Sequence, residues 1–198
     1  MFGPDVSGPL LGIDPGLSRC GYGAVRRDGS ALRAIACGVL RTPPTDELPA
    51  RLAALSAEIE TLVDELRPSV LVVERVLFQV NARTAIAVGQ ASGIALAVAA
   101  RAGVPVVHYS PNEVKLAVTG YGGADKAQVA VMVARLLALS AIPGPPDAAD
   151  ALALAICHAG AGRVRAAVEH SDGGGAGRGP VRGYERAVAA ALAREGSR

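Results

Sequence analysis

The stretch Pro9-Leu10-Leu11-Gly12-Ile13-Asp14 ends a short apolar run on a carboxylate. The run Val70-Leu71-Val72-Val73 is followed in the same way by Glu74, and Asp147 and Asp150 open an apolar segment with helical character. A carboxylate beside a buried strand is costly unless its charge is compensated, and none of these runs contains a Lys or Arg. A shared divalent cation would compensate all four acids, so the pattern predicts metal-assisted phosphoryl chemistry.

Along the whole chain, the hydrophobic pattern predicts three strands followed by alternating helices and strands. The three strands are expected at residues 10–13, 21–25 and 32–40, with a hairpin turn at 26–30. This order predicts an α/β protein, a mixed five-stranded sheet flanked by helices, as in ribonuclease H-like folds. The later elements are a helix over 47–66, strands at 70–73 and 104–109, and helices over 84–101, from 111, over 125–139 and over 147–159.

Two helices carry further local signals. Ser110-Pro111-Asn112-Glu113 predicts a helix start, with Ser as N-cap, Pro in the first position and Glu in the third. The helix over 84–101 has small residues that give it one smooth face suited to close helix packing, between subunits for example. These residues are Gly89, Ala91, Ser92, Gly93 and Ala95.

The composition of the 198 residues predicts one folded domain over 1–162 and a Gly- and Arg-rich, flexible tail over 163–198. No apolar run reaches the ~20 residues that span a bilayer, and residues 1–5 lack the basic start of a signal peptide. Cys20, Cys37 and Cys157 show no paired spacing, which predicts free thiols. We therefore expect a cytoplasmic protein without a membrane partner.

Taken singly, the acids have plainer explanations. Asp147 and Asp150 lie three residues apart, so they share a helix face, but two acids in a first turn also simply suit the helix dipole. Asp14 alone could form a turn before Pro15, whereas Glu74 directly continues four apolar residues. The occurrence of all four acids together favours a shared metal site, because neighbouring strands of an α/β sheet can end side by side.

The lysines form a second signal, because only two of the 20 Lys and Arg residues are lysines. These are Lys115 and Lys126. A coding bias toward Arg explains the composition, and it would leave Lys where Arg does not serve. A compact ammonium near a scissile phosphate is one such role, and chance survival is the other reading.

Seven segments in order, between about residues 9 and 159, resemble the RuvC family of bacterial Holliday junction resolvases. Any one of them is a weak signal, but seven in register are specific. They are Gly12-Ile13-Asp14-Pro15-Gly16, Val73-Glu74-Arg75-Val76, Asn81-Ala82-Arg83-Thr84-Ala85, Gly89-Gln90-Ala91-Ser92-Gly93, Pro111-Asn112-Glu113-Val114-Lys115, Ala124-Asp125-Lys126-Ala127-Gln128-Val129 and Asp147-Ala148-Ala149-Asp150-Ala151-Leu152-Ala153.

The resemblance implies a homodimeric endonuclease that nicks two strands of like polarity in a four-way DNA junction, leaving 5′-phosphate and 3′-hydroxyl ends. It implies two Mg²⁺ ions per subunit, with Mn²⁺ as a substitute, and RuvA and RuvB as partners. By position, the family's metal-binding catalytic carboxylates match Asp14, Glu74, Asp147 and Asp150, and its basic positions near the site match Lys115 and Lys126.

One position departs from the family, which usually has an aromatic residue three places after the catalytic Glu. Here that position holds Leu77, and Phe78 follows it. Phe78 could still stack on a base from a loop, or it could be a core or interface residue. Leu77 could act only as a wedge. The neighbouring polar residues Arg75, Asn81, Arg83 and Gln90 are candidates for DNA contacts.

Three alternatives remain open at this point. The first is another ribonuclease H-like nuclease, acting on RNA–DNA hybrids or structured RNA. The second is an actin-like sugar kinase fold, although that fold needs a far longer chain. The third is a DNA-binding protein without catalysis, which has no need to hold four acids near phosphates.

Overall fold

The computed structural model of the chain describes residues 8–75 and 82–171. Five strands and five helices follow one another in the predicted order within these residues. In chain order they are β1 (Leu10–Asp14), β2 (Arg19–Asp28), β3 (Ala31–Arg41), α1 (Leu48–Leu66), β4 (Val70–Glu74), α2 (Ala82–Arg101), β5 (Val106–Tyr109), α3 (Pro111–Thr119), α4 (Lys126–Leu136) and α5 (Pro146–Ser171).

The five strands form one mixed sheet in the spatial order β3-β2-β1-β4-β5. The β1–β2 and β2–β3 pairs are antiparallel, whereas β1–β4 and β4–β5 are parallel. The predicted ribonuclease H-like sheet is therefore confirmed, with β1 at its centre. Parallel pairing of β1 with β4 puts the carboxyl ends of both strands at one edge of the sheet.

The hairpin differs from the prediction, which placed a turn at 26–30. β2 continues to Asp28, and the turn is confined to Gly29 and Ser30, with Gly29 at a φ of 59°. Backbone pairing extends the strands through exposed polar residues that carry no hydrophobic pattern. A positive φ costs a glycine little, so the chain reverses there.

Helix α5 starts where predicted and continues beyond the predicted end at 159, as far as Ser171. The residues from 172 onward lie outside the described part of the chain. The division into a nuclease domain over 1–162 and a flexible tail over 163–198 therefore stays a prediction.

One sheet face forms the main hydrophobic core with α1 and α2. Leu11 and Ile13 of β1 are fully buried there, together with Leu55 and Ile59 of α1. The other face receives α5, and the two elements are in very close contact. A Cβ added to Gly12 would lie 2.0 Å from the carbonyl oxygen of Ala151, so only glycine lets α5 approach β1 this closely.

The small residues of α2 do not form the single face that the sequence suggested. Ala91, Ser92 and Ala95 are buried, whereas Gly89 and Gly93 are exposed. The small residues lie on both sides of the helix because their spacing does not follow one helical stripe.

Helix α2 also contains Thr84–Arg101, a stretch long and apolar enough by length and composition to cross a membrane. Four of its residues are buried in the core of the fold. They are Ala91, Ala95, Val98 and Ala99. Helix α2 therefore packs one side against the core of the fold and leaves the other side exposed.

Candidate active site

Asp14 and Glu74 end two hydrogen-bonded neighbouring strands. In the parallel register Ile13 lies opposite Val73, so the two acids follow at the same level. Directly opposite residues in adjacent strands point to the same face. That face is the one covered by α5, because Gly12, two residues before Asp14, contacts α5.

The first turn of α5 brings the two aspartates to the same place. Gly21 of β2 lies opposite Asp14, and a Cβ on Gly21 would lie 2.1 Å from the carbonyl oxygen of Asp147. The chain thus places Asp147 beside the end of β1, and Asp150 follows one turn later on the same helix. The predicted juxtaposition of three sequence-distant acidic segments is present in the structure.

The electrostatics of Asp14 reflect this crowding. Burial raises the pKa of Asp14 to about 7, and the negative charges of Asp150, Glu74 and Asp147 add to the effect, while Lys126 opposes it. The pKa of Glu74 is raised by the same causes, burial first and then Asp150. Within the side chains that the structure describes, no hydrogen bond or ion pair reaches Asp14 or Glu74.

The other two carboxylates have cationic partners that come from distant parts of the chain. Lys126, at the start of α4, donates from Nζ to Asp150 Oδ2 at 2.7 Å. Arg19 of β2 donates to Asp147 Oδ2 from Nε at 3.1 Å and from a terminal nitrogen at 2.5 Å. The hydrogen bond from Arg19 lowers the pKa of Asp147, and the one to Asp150 raises the pKa of Lys126.

The apolar runs that carry the acids contain no Lys or Arg, so these ion pairs were not expected from the sequence. Lys126 was predicted near the site from its rarity and the family resemblance, but Arg19 was not predicted at all. Its signal is the antiparallel β1–β2 pair, which places the start of β2 beside the end of β1. That relationship is visible only once the strand register is known.

A small cavity of about 100 Å³ adjoins the carboxylates. Both predicted lysines line it, Lys115 from α3 and Lys126 from α4, together with Glu74 and Asp150. The rest of its wall is apolar. These residues are Pro111, Val114, Val129, Ala153 and Leu154. Two acids and two ammonium groups thus face one small cavity, which suits a substrate phosphate bound with a cation.

The start of α3 is fixed as predicted, which positions Lys115. Ser110 accepts from the Glu113 N–H, and the Glu113 carboxylate accepts from the Ser110 N–H at 2.7 Å. A second capping box, between Asp125 and Gln128, fixes the start of α4 and the base of Lys126. Both lysines therefore project from capped helices rather than from loops.

The donor set fits a hard divalent cation, because it consists of carboxylate oxygens, and burial followed by their mutual repulsion raises the pKa of two of them, Asp14 and Glu74. As the side chains stand, no three His, Cys, Asp or Glu residues of 8–75 and 82–171 are arranged to hold a metal ion. Arg19 and Lys126 hold two of the four carboxylates instead. A bound cation would thus require these side chains to rearrange.

The remaining candidates for DNA contacts lie outside this cavity or outside the described residues. Arg75 directly follows β4 and is exposed, and Gln90 is half-buried on α2. The backbone of Arg83 belongs to α2. Leu77, Phe78 and Asn81 fall in the undescribed segment, so the question of the missing aromatic stays a prediction.

His158, to which no role was assigned from the sequence, contacts Tyr109. Its Nδ1 lies 3.0 Å from the Tyr109 hydroxyl, and the two rings are 6.0 Å apart. Tyr109 is the strand neighbour of Glu74 in the β4–β5 register. The pair therefore fixes α5 to the strand beside a site carboxylate.

The family model for crossover junction endodeoxyribonuclease RuvC matches residues 10–158 of the chain. This chain belongs to the RuvC family. The RuvC match includes the four carboxylates and both lysines described above. The alternative of a sugar kinase fold is thereby excluded.

Named relatives agree with the RuvC match over most of the chain. The crossover junction endodeoxyribonuclease RuvC of Salinispora arenicola is 54% identical over 171 residues, which cover 84% of this chain and 98% of that protein. Thermus thermophilus RuvC, solved in complex with a Holliday junction substrate, is 37% identical with a TM-score of 0.75. That match covers 79% of this chain and 96% of the Thermus chain.

Proposed function

We propose that this protein resolves four-way DNA junctions by divalent-metal-dependent hydrolysis of two strands of like polarity, in recombination and repair. One observation carries the proposal: Asp14, Glu74, Asp147 and Asp150 meet at one sheet edge, where their repulsion is only partly offset. Family membership supports the same conclusion. A ribonuclease on RNA–DNA hybrids is the less favoured reading.

The four carboxylates would hold the metal, which we propose to be Mg²⁺, two ions per subunit, with Mn²⁺ as a substitute. Bound there, the metal would supply Lewis-acid activation of water and neutralisation of phosphate charge. Lys126 and Lys115 would stabilise the charge that develops on the phosphate, since both face the cavity beside Glu74. The expected products carry 5′-phosphate and 3′-hydroxyl ends.

We also propose a homodimer, because paired nicks in a junction need two sites related by a two-fold axis. Helix α2 supports this with an exposed stripe of small and apolar residues on the side away from the core. Ile86 is 62% exposed within it, and the glycines leave open space around the helix. The stripe consists of Ile86, Gly89, Gly93, Ala97 and Ala100.

RuvA and RuvB as partners follow from the resemblance, and we propose the cytoplasm as the location of the protein. The three cysteines, Cys20, Cys37 and Cys157, are all free thiols, which is consistent with a reducing compartment.

The test is cleavage of a synthetic mobile four-way junction, with strand-mapped and ligatable products, beside an RNA–DNA hybrid of matched length. Paired symmetric nicks in Mg²⁺ that vanish in Asp14→Asn and persist in Asp64→Asn support the proposal. Asp64 is the matched control, because it is an exposed acid on α1. Preferred cleavage of the hybrid, or cleavage in EDTA, would contradict it.

A further inference from the structure

Two arginines face each other across the β2–β3 hairpin at the edge that carries the active site. Arg19 and Arg41 are directly opposed in the antiparallel register. Like charges in this arrangement repel each other and destabilise a strand pair. Both lie on the α5 face of the sheet, since Arg19 reaches Asp147 and its neighbour Gly21 contacts the backbone of the same residue.

The two guanidinium groups differ in how they are neutralised. Arg19 forms the ion pair with Asp147. Arg41 is exposed and has no carboxylate within 4.0 Å in the part of the chain that the structure describes. Among the described residues, Asp147 is therefore the one carboxylate that offsets the adjacent positive charges of Arg19 and Arg41. An anion placed between the arginines would remove the imbalance.

The backbone under these arginines is held firmly. The Thr42 N–H donates to the carbonyl of Ser18, and the Thr42 hydroxyl donates to the carbonyl of Leu17 at 2.5 Å. Arg51 of α1 donates to the side chains of Ser18 at 2.6 Å and Thr42 at 3.1 Å. Thr42 is only 4% exposed. The strand ends that carry Arg19 and Arg41 are thus tied together before any ligand binds.

From this geometry we infer that Arg19 and Arg41 bind a backbone phosphate of the DNA beside the scissile one, and that Arg19 leaves Asp147 to do so. The inference rests on the proposed function, because it takes DNA as the ligand. Guanidinium groups match phosphate oxygens in a bidentate manner, which suits this role. Without DNA, Arg19 neutralises Asp147. With DNA, Arg19 turns to the phosphate and Asp147 becomes free for a cation.

This exchange makes DNA and metal binding mutually supportive. A cation at Asp147 competes with Arg19, and a phosphate draws Arg19 away, so each ligand raises the affinity for the other. The metal site would thus be completed by substrate rather than held ready. Arg51 is a positioning residue here, because it contacts Ser18 and Thr42 rather than the ligand.

The hairpin supplies its own control. Arg26 and Arg33 form a second directly opposed pair at the far end of the same two strands, where Asp28 lies 2.6 Å from Arg33. Arg41→Gln and Arg33→Gln each remove one exposed positive charge from β3. Only the first removes a proposed phosphate contact.

Junction binding is measured in EDTA over a range of salt concentrations. We expect Arg41→Gln to weaken binding about three- to tenfold and to reduce the slope of log K against log salt by about 0.7 to 0.9, one phosphate contact. Arg33→Gln should leave the slope unchanged. Equal slopes for the two variants would overturn the inference, whereas failure of the wild type to bind junctions at all would instead overturn the proposed function.

A junction with single neutral methylphosphonate linkages near the cleavage site identifies the phosphate. One linkage should weaken the wild type at least as much as Arg41→Gln does, because it removes the charge that both arginines bind, and it should weaken the Arg41→Gln variant less than it weakens the wild type. Additive losses at every linkage would show that Arg41 contacts no single phosphate and would overturn the inference.

The exchange at Asp147 is read from Mn²⁺ binding by electron paramagnetic resonance. Arg19→Gln should bind Mn²⁺ severalfold more tightly than the wild type without DNA, since Asp147 loses its internal partner. Adding junction should raise Mn²⁺ affinity in the wild type but little in Arg19→Gln. Unchanged or weaker Mn²⁺ binding by Arg19→Gln would show that the ion pair is only structural.

Discussion

The ammonium group of Lys126 lies 2.7 Å from Asp150 Oδ2, across 24 residues of sequence. Its charge also opposes the rise in the pKa of both Asp14 and Glu74. One lysine therefore offsets three carboxylates that come from two strands and a helix. It also faces the cavity in which we place the reacting phosphate.

Replacing Lys126 by Met should lower kcat for junction cleavage about 10²- to 10³-fold, because a charge directed at the developing phosphate charge is lost. Junction affinity should change little. The measurement is single-turnover cleavage at saturating protein. Lys126→Arg keeps the charge and should recover part of the rate. A Met variant as fast as the wild type would show that Lys126 takes no part in catalysis.

Asp14→Asn should stabilise the metal-free protein. The folded-state pKa of Asp14, about 7, lies above its ordinary value of 3.8, so the ionised carboxylate opposes folding. The free energy of unfolding should fall as pH rises from about 4 to 7 and then level off. At pH 8 the variant should gain on the order of 2 kcal/mol, and near pH 4 almost nothing.

Urea unfolding in EDTA at several pH values measures this effect, with Asp64→Asn as the control for loss of one exposed acid. Saturating Mg²⁺ should shrink or reverse the gain, because the cation stabilises only the ionised site. A gain independent of pH would mean that Asp14 is not the group that titrates.

Gly12→Ala should disrupt the contact between β1 and α5. The added Cβ meets the Ala151 carbonyl at 2.0 Å, and backbone cannot move aside as a flexible side chain can. We expect a loss of about 2 kcal/mol or more in thermal or urea unfolding, with loss of activity as α5 shifts from Asp14. Gly122→Ala, which meets nothing within 4 Å, should be near neutral.

Ala97→Arg should convert the proposed dimer to a monomer, because it places a long charged side chain in the middle of the exposed stripe of α2. Sedimentation and circular dichroism would show a halved mass with unchanged helix content. Paired nicking should fall to single, unpaired nicks. Ala54→Arg, at an exposed alanine of α1, should leave the mass unchanged, and a monomeric wild type would refute the dimer.

The order of elements was readable from the sequence because each strand or helix carries its own periodicity. The runs before Asp14 and Glu74 are apolar because both faces of those strands are covered. In β4, Leu71 and Val73 are buried on one face and Val70 and Val72 on the other, and in β1 Gly12 lies against α5. The N-cap at Ser110 was readable for a similar reason, since its partners lie within three residues.

The extents of the hairpin strands, and which side of α2 is buried, could not be predicted from the sequence. β2 and β3 extend by backbone pairing, which leaves no side-chain pattern. In α2 the small residues suit burial and exposure equally, and only packing against α1 and the sheet separates Ala91 from Gly89.

By itself the sequence determined the mixed α/β fold and identified the four acids and the two lysines as candidates for the site. It could do so because periodicity and side-chain chemistry depend on residues that are close together in the chain. Only the tertiary structure decided which charges meet. Arg19 and Asp147 are 128 positions apart in the sequence. They come into contact only because the strand register places Arg19 near the end of β1 and because α5 approaches closely over Gly21. A charge interacts with what is near it in space, which the order of residues does not state.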